Sequence, residues 1–482
     1  MIIFQKILAF LISLVIPFLP SASVIGYGGY TPIQATEREY CFDDEKLLLG
    51  GYNFNFNYLN ETQVSYIKEA GLDFIVSGAN ETFLDYCAKY DIGVIAHGYN
   101  LASYWMSYNP DNHLALTKEK YKDHEALWGD SLIDEPRSTH YSEIGAAVDH
   151  YYNTLEGKLP LVNLFPNYFN EDQAGKNYMQ LTDFQKKLYI NSCRTDFRNM
   201  VNFISAGSEE LYNQFATVNA SLSPYYDLYK QYVSDYISKV DTDIISVDYY
   251  PLGVNDETSA YWFSNLDILA EACRETGRKL WVITQAAGQS KDKANDARFC
   301  DTPEDIRYQM YVSIAFGAKA IIHACYSSGW WDTDSHMIDA NGNRTDTYYA
   351  VQQVNKEVSS FADIYANYDY VGTFLTNPMG SDGADYYGYL SPISREDRGC
   401  TVTSKEDHIL TGCFDSKDGN SEAFTFVNMN NTKNKAKAIF EATFDDATSI
   451  TVYRKGEVIN IEGNVLSMIL DNQEGIFVVA NK

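Results

Sequence analysis

The stretch KLLLGGYNFNFNYLNETQVSYIKEAGLDFIVSG, residues 46–78, decides the fold class. Both of its ends are short apolar runs with the length of buried strands. The segment between them has apolar Val64 and Ile67 three positions apart and stops at Gly71, which is typical of an amphipathic helix that ends at a glycine. The order strand, helix, strand predicts a unit in which two parallel strands are joined by a helix.

The same alternation continues along the chain. Six further strand-like runs follow, mostly separated by helical segments: VIAHGYN (94–100), ALWGDSLIDEP (126–136), LPLVNLFPNYF (159–169), DIISVDYYPLG (243–253), KLWVITQAAG (279–288) and KAIIHACYSSG (319–329). Eight strand–helix repeats within residues 36–370 predict an α/β fold, a (β/α)8 TIM barrel whose apolar strands are buried on both faces. An open doubly wound sheet is the alternative, but no glycine-rich phosphate loop follows the first strand.

The sequence changes character from about residue 372. Short β-rich runs, such as HILTGCF (408–414) and EAFTFVNMN (422–430), are separated by polar turns as far as the C-terminus. This pattern predicts a small antiparallel β-sandwich over residues 372–482.

The N-terminus has the composition of a targeting segment. Lys6 precedes an apolar run over residues 7–19, and the small residues 21–23 follow it. This order predicts a secretory signal peptide over residues 1–23, and therefore a protein that works outside the cell or on its surface. An uncleaved membrane anchor is the alternative; after cleavage no membrane association is expected.

Composition narrows the range of partners. The formal charge of −28 argues against nucleic acids and anionic membrane surfaces. The 39 Tyr, 25 Phe and 6 Trp provide aromatic surface that stacks on sugar rings, although most of it must be core. No cysteine or histidine spacing typical of a metal site occurs, so neither a metal nor another cofactor is expected. The sequence does not indicate an oligomeric state.

In a TIM barrel the chemistry takes place at the carboxyl ends of the strands. Polar and aromatic residues predicted there to bind substrate are Asn53, His97, Asp134, Asn167, Tyr249, Gln285, His323 and Tyr326, with Trp330 and Trp331 in the last loop. Amides and carboxylates hydrogen-bond hydroxyl groups, and aromatic rings stack on the apolar face of a pyranose. We therefore expect a carbohydrate site.

The segment LWGDSLIDEP, residues 127–136, ends an apolar strand with two adjacent carboxylates and a proline. Glycoside hydrolysis uses two carboxyl groups, one of which stays protonated near neutral pH through burial or a like-charged neighbour. Glu135 is the candidate acid, Asp248 is the candidate nucleophile or base, and Asp134 is the neighbour that tunes Glu135. Two other interpretations remain open: Glu135 as a helix-capping turn residue, and Asp248 as a buried hydrogen-bonding group.

Four segments carry a resemblance to a known group of enzymes. In their order, LWGDSLIDEP, DIISVDYYP, KLWVITQAAG and IRYQMYVSIAFGAKAIIHACYSSGWW resemble secreted clan A glycosidases and their relatives of the family 42 β-galactosidase type. Those enzymes carry an acid/base glutamate after strand four, in an Asn-Glu or Asp-Glu pair, and often a C-terminal β-sandwich. The resemblance implies that Glu135 is the acid/base.

The pattern departs from that group at strand seven. Clan A members place a nucleophilic glutamate there, whereas this chain has Thr284 and Gln285. Asp248 on strand six is the best remaining second carboxylate, and α-galactosidase-like barrels do use carboxylates on strands four and six.

The sequence therefore predicts a glycoside hydrolase that acts on a neutral poly- or oligosaccharide. The main alternative is a glycan-binding barrel that has lost its nucleophile, which Gln285 favours. A lyase or transglycosylase is a further alternative, but the strand ends offer no Lys or Arg to neutralise a uronate.

Overall fold

The computed structural model describes residues 31–96, 121–167, 229–253, 260–288, 300–329, 331–376, 399–430 and 436–482. The predicted signal peptide, residues 1–23, and the candidate residues His97 and Trp330 lie outside these ranges. Within the ranges, no helix has the length and apolar character needed to cross a membrane.

Eight parallel strands form a closed barrel in chain order, and the last strand pairs with the first. The strands are β1 (Leu48–Tyr52), β2 (Phe74–Ser77), β3 (Gly93–Ala96), β4 (Leu127–Asp134), β5 (Leu159–Leu164), β6 (Ile244–Asp248), β7 (Lys279–Gln285) and β8 (Ala318–Ala324). The helices that accompany them are α1 (Glu61–Glu69), α2 (Glu81–Lys89), α3 (Tyr141–Thr154), α4 (229–239), α5 (Ala260–Thr276), α6 (Pro303–Ala315), α7 (Asp346–Ser359) and α8 (Ala362–Tyr365). The predicted TIM barrel is confirmed.

Side-chain caps fix where several helices begin. The Asn60 side chain accepts a hydrogen bond from the Gln63 amide at the start of α1, and Asn80 caps α2 in the same way. Thr302 caps α6, and Pro303 occupies its first turn. Each cap satisfies a backbone N–H that has no partner inside the helix, so the sequence sets these boundaries locally.

Aromatic rings fill the amino-terminal end of the barrel. Phe42, from the segment before β1, stacks on Trp128 with ring centroids 4.4 Å apart, and Trp128 stacks on Phe74 at 5.7 Å. Phe74 in turn contacts Trp281 at 5.3 Å. Gly93 leaves room for this stack, because a Cβ atom there would lie 2.1 Å from the Trp128 ring. Part of the aromatic excess is therefore core, at the end of the barrel away from the carboxyl ends of the strands.

Two antiparallel sheets follow the barrel, which confirms the predicted β-sandwich. Their strands are β9 (Tyr368–Thr376), β10 (Cys400–Thr403), β11 (Ile409–Ser416), β12 (Ser421–Asn428), β13 (Ala438–Phe444), β14 (Ser449–Arg454), β15 (Glu457–Glu462), β16 (Val465–Leu470) and β17 (Gly475–Asn481). One sheet has the order β15-β14-β17-β12-β11-β9 and the other the order β10-β13-β16. The first strand of the larger sheet begins at Tyr368, slightly before the expected domain boundary at residue 372.

The sandwich packs closely against helix α6. Gly412 of β11 lies against the Ala315 backbone, where a Cβ atom would be 2.3 Å from the carbonyl oxygen. Gly475 of β17 lies in the same way against the Tyr311 ring. The Gln473 side chain also donates a hydrogen bond to Asp305, at 3.1 Å. Barrel and sandwich therefore share one buried apolar cluster rather than a polar linker.

Candidate functional site

The alternation of side chains along β6 decides which of them face the barrel interior. Ile244 packs in the apolar cluster inside the barrel, and Ser246 and Asp248 have the same parity. Tyr249, with the opposite parity, is 2% exposed and lies in the cluster between strands and helices. The structure thus places Asp248 at the barrel mouth, defined here as the carboxyl ends of β1–β8, and places Tyr249 outside the predicted substrate site.

Asn163 of β5 lies between two carboxylates at the mouth. Its Nδ2 donates to Asp134 Oδ1 at 2.9 Å and to Asp248 Oδ1 at 2.8 Å. The Ser246 hydroxyl donates to Asn163 Oδ1 at 2.9 Å. Strand β5 runs between β4 and β6 in the barrel, so its inward residue reaches the side chains of both neighbours.

Glu135 follows β4 in a constrained backbone conformation. Its φ angle of 49° is left-handed, which is uncommon for a residue with a side chain and costs on the order of 1 kcal/mol. The Glu135 amide donates to the Asn163 carbonyl oxygen at 2.8 Å. The next residue, Pro136, accepts a hydrogen bond at 2.8 Å from the Tyr232 hydroxyl of α4. These contacts hold the half-buried Glu135 side chain beside the two aspartates.

Burial and neighbouring charges raise the pKa values of two of the three carboxyl groups, Glu135 and Asp248. Burial raises the pKa of Glu135, and the negative charges of Asp248 and Asp134 raise it further. Burial and the charge of Asp134 also raise the pKa of Asp248, while hydrogen bonds from Asn163 and Tyr250 oppose that rise. A protonated Glu135 near neutral pH is therefore compatible with the site, as a proton donor requires.

Aromatic side chains form one wall of the mouth. Tyr250 hydrogen-bonds to Asp248, and its ring meets Trp331 edge to face, with centroids 4.8 Å apart. Trp331 is half-buried and has a φ angle of 65°. Tyr52, at the end of β1, belongs to the same interior cluster, and the charges of Asp134 and Asp248 help to raise the pKa of its buried phenol. These rings provide the kind of surface on which a sugar stacks.

Asn53 also lies at the mouth, directly after β1. It is half-buried with a φ angle of 65°, and its amide donates to the Val76 carbonyl oxygen at 2.8 Å. Its side-chain nitrogen lies beside Gly329 of the last loop. The structure thus keeps Asn53 and Trp331 among the candidate substrate-binding residues.

Gln285 was predicted to bind substrate at the mouth, but the structure buries its side chain. Its side chain is fully buried, accepts a hydrogen bond from the Leu252 amide at 3.1 Å and donates to the Leu252 carbonyl at 3.4 Å. Its backbone is held on the other side by Gln309 of α6. Gln285 therefore fixes the loop that carries Tyr250, and it is not open to substrate.

Asn167, His323 and Tyr326 are likewise buried away from the mouth. Asn167 is tied to helix α5, since its backbone N–H donates to Asn265 at 2.7 Å and its Nδ2 to Ser264 at 3.0 Å. Tyr326 is fully buried in the outer cluster. The expectation that these side chains bind hydroxyl groups of a substrate therefore does not fit the structure.

His323 faces the helices because its parity on β8 is opposite to that of the interior residue Ile322. Its Nε2 lies 3.0 Å from the Asn355 side-chain oxygen of α7. Complete burial lowers the pKa of His323 to about 4, so the imidazole is neutral at neutral pH. His323 joins the barrel to its helix layer.

Sequence reasoning assigned no role to Asn163, Ser246, Tyr52 or Tyr250. The alternation of side chains along each strand could have predicted two of these residues. Ser246 lies on the same face of β6 as Asp248, and Tyr52 is the last inward-facing residue of β1. The meeting of Asn163 with two carboxylates depends on the relative stagger of three strands, which no local pattern specifies.

No group of three or more His, Cys, Asp or Glu side chains within the described ranges has a geometry that could hold a metal ion. The site there consists of carboxylates, the side-chain amides of Asn53 and Asn163, the Ser246 hydroxyl and aromatic rings.

No family model matches the sequence, and no curated protein matches it significantly. Similar solved structures include a family 30, subfamily 8 xylanase from Clostridium acetobutylicum, 11% identical with a TM-score of 0.41, covering 94% of this chain and 97% of that chain. Another is described as a glycoside hydrolase, 10% identical with a TM-score of 0.47, covering 96% and 99%. An α-galactosidase from Saccharomyces cerevisiae is 9% identical with a TM-score of 0.43, covering 93% and 100%.

Fold and site together define a class: a TIM barrel with carboxylates converging at the carboxyl ends of its strands. The solved structures are similar at 9–11% identity, which is too distant to assign this chain to a family.

Proposed function

We propose that the protein is a secreted glycoside hydrolase that cleaves a neutral poly- or oligosaccharide. Glu135 is the general acid, Asp248 is the nucleophile or base, and Asp134 raises the pKa of Glu135. The observation that carries the proposal is the convergence of these three carboxylates at the barrel mouth, with burial and mutual repulsion favouring the protonated form of Glu135.

Each of the three carboxyl groups has a defined role. Glu135 donates its proton to the glycosidic oxygen as the bond to the anomeric carbon breaks. Asp248 either removes a proton from the water that attacks that carbon, or attacks the carbon itself. In the second case Glu135, ionised by the first step, removes a proton from a water that displaces Asp248 from the sugar, which restores both carboxyl groups. The negative charge of Asp134 raises the pKa of Glu135, which favours the protonated form of the glutamate before the reaction.

Aromatic and amide groups suit a neutral sugar. The Tyr250 and Trp331 wall offers a stacking surface, and Asn53 offers a donor and an acceptor for hydroxyl groups. His97 and Trp330 remain predicted members of this site from the sequence. Export through the signal peptide at residues 1–23 is part of the proposal, since extracellular glycans are substrates of this kind.

A glycan-binding barrel without catalysis is the second candidate. The observation that favours it is the end of β7, where the buried Gln285 stands in place of a carboxylate. A binding protein would retain sugar affinity and show no turnover on any substrate.

The deciding experiment is a screen of the purified protein against aryl glycosides and a glycan panel, with the Glu135→Gln variant in parallel. We expect turnover that Glu135→Gln reduces by roughly 10²–10⁴-fold, the usual contribution of a general acid. Glu143→Gln, which alters an exposed carboxylate on α3, is the matched control and should retain full activity. Binding without turnover would establish the second candidate instead.

A further inference from the structure

We infer that Asn163 is a positioning residue that holds Asp134 and Asp248 together as one hydrogen-bonded pair, and that Ser246 and the two aspartates together orient its amide. Its catalytic consequence rests on the proposed function, whereas the pairing itself does not. Asn163 is 4% exposed, so water competes little for these bonds.

The distance between the Asp134 and Asp248 carboxylates is limited by Asn163 Nδ2, which donates to both of them. A side-chain amide has two hydrogens, and Asn163 directs one to Asp134 at 2.9 Å and the other to Asp248 at 2.8 Å. The two acceptor oxygens consequently lie within about 6 Å of each other, since both accept from the same nitrogen.

Ser246 and the two aspartates together set the orientation of the amide. The Ser246 hydroxyl donates to Asn163 Oδ1 at 2.9 Å, and a hydroxyl accepts a donor equally well, so the seryl contact alone would permit either orientation. The aspartates remove that freedom, because a flipped amide would set its oxygen against two carboxylate oxygens. Ser246 and the two aspartates together leave the amide one favourable orientation.

The hydrogen bonds of Asn163 favour the ionised form of some of the three carboxyl groups over others. Hydrogen bonds donated to a carboxylate favour its ionised form. Asn163 gives both of its hydrogens to the aspartates, which leaves none for the Glu135 side chain. The two aspartates are therefore stabilised as acceptors, and Glu135 is the member of the three that retains a proton most readily.

The chain offers a matched control for this inference. Asn167 follows the same strand, is equally buried and also contacts a serine, but its partners Ser264 and Asn265 lie on helix α5. Truncating either asparagine removes a buried amide of the same size. The hydrogen bonds to Asp134 and Asp248 come from Asn163.

The first experiment compares the pH dependence of kcat/KM for Asn163→Ala, Ser246→Ala and Asn167→Ala. Loss of the donors raises the pKa of Asp248, so in Asn163→Ala the acidic limb should move up by about one pH unit or more, with kcat falling more than KM rises. Ser246→Ala should move the limb in the same direction by less. Asn167→Ala should leave it unchanged. An acidic limb in Asn163→Ala that coincides with the wild-type limb would overturn the inference.

A second experiment needs no substrate, and so it separates failure of this inference from failure of the proposed function. The melting temperature of each alanine variant is measured near pH 4 and near pH 8. Asn163 stabilises ionised aspartates, so Asn163→Ala should lower the melting temperature more near pH 8, where the pair carries more charge, than near pH 4. Asn167→Ala should lower the melting temperature by a similar amount near pH 4 and near pH 8. Equal losses at the two pH values for Asn163→Ala would refute the pairing even if the enzyme proved to be active.

Discussion

Asp134 and Asp248 stand on strands β4 and β6, which are not adjacent in the barrel, yet both accept a hydrogen bond from the same side-chain nitrogen of Asn163. Burial raises the pKa of Asp248, and the negative charge of Asp134 raises it further. Burial likewise raises the pKa of Glu135, and the charges of Asp248 and Asp134 add to that rise. The protonation of the mouth is therefore a joint property of three side chains.

The first prediction concerns Glu135 as proton donor. Glu135→Gln keeps the shape of the side chain and removes the proton, so the rate should fall by roughly 10²–10⁴-fold on substrates with a poor leaving group. The loss should be much smaller for dinitrophenyl glycosides, whose leaving group needs no proton. Steady-state kinetics over a series of aryl glycosides measures this dependence, and a uniform loss across the series would argue against the assignment.

The second prediction concerns Asp248. A nucleophile or base is needed whatever group departs, so Asp248→Asn should impair all members of the same series to a similar degree. In this variant the side-chain oxygen of the new asparagine can still accept the hydrogen bond from Asn163, so the protein should fold. Circular dichroism and the melting temperature check the folding. Near-normal turnover in a folded Asp248→Asn variant would remove Asp248 from the mechanism.

The third prediction is the pH dependence that the shifted pKa of Glu135 implies. A general acid works in its protonated form, so a raised pKa extends activity upward, and activity is lost as the pH rises through that pKa. Asp134→Asn removes one of the two negative charges that raise the pKa of Glu135. The alkaline limb of kcat/KM should consequently move to lower pH in this variant. A limb that stays in place or moves upward would contradict the tuning role of Asp134.

The fourth prediction concerns acid stability and His323. In the folded protein its pKa is lowered to about 4, whereas the unfolded imidazole takes up a proton near pH 6.5. The unfolded state therefore binds more protons between these values, and stability should fall with falling pH, by up to about 3 kcal/mol. His323→Gln should flatten the dependence of melting temperature on pH over this window. A dependence that is as steep in His323→Gln as in the wild-type protein would contradict this prediction.

The fifth prediction concerns the contact between barrel and sandwich. A Cβ atom at Gly412 would lie 2.3 Å from the Ala315 carbonyl oxygen, and neither backbone yields easily. Gly412→Ala should therefore destabilise the protein by about 1–3 kcal/mol, as overpacking generally does. Thermal or denaturant unfolding measures the loss. Asp415→Ala, at an exposed position on the same strand, should have little effect, and an unchanged Gly412→Ala variant would mean that the sandwich is not held against α6 in this way.

The sequence predicted the sites of the strands better than the roles of individual residues. Apolar runs separated by helical periodicity were sufficient for eight parallel strands and the β-sandwich, because burial on both faces of a parallel strand demands continuous apolar residues. Asp134, Glu135 and Asp248 were found because a TIM barrel places its chemistry at the carboxyl ends of its strands. The same rule also selected Tyr249 and His323, which stand at strand ends but face the helices.

What the sequence by itself determined is local: the period of each segment, the caps that start the helices, and the carboxylates and amides that end the strands. Only the tertiary structure decided which way each of these side chains faces and which groups it hydrogen-bonds. Gln285 and Asn163 are both amides at or near a strand end, yet one holds a backbone loop and the other holds two carboxylates. The physical reason is that closing the barrel sets the stagger of neighbouring strands, and a shift of one residue would turn each side chain to the opposite face.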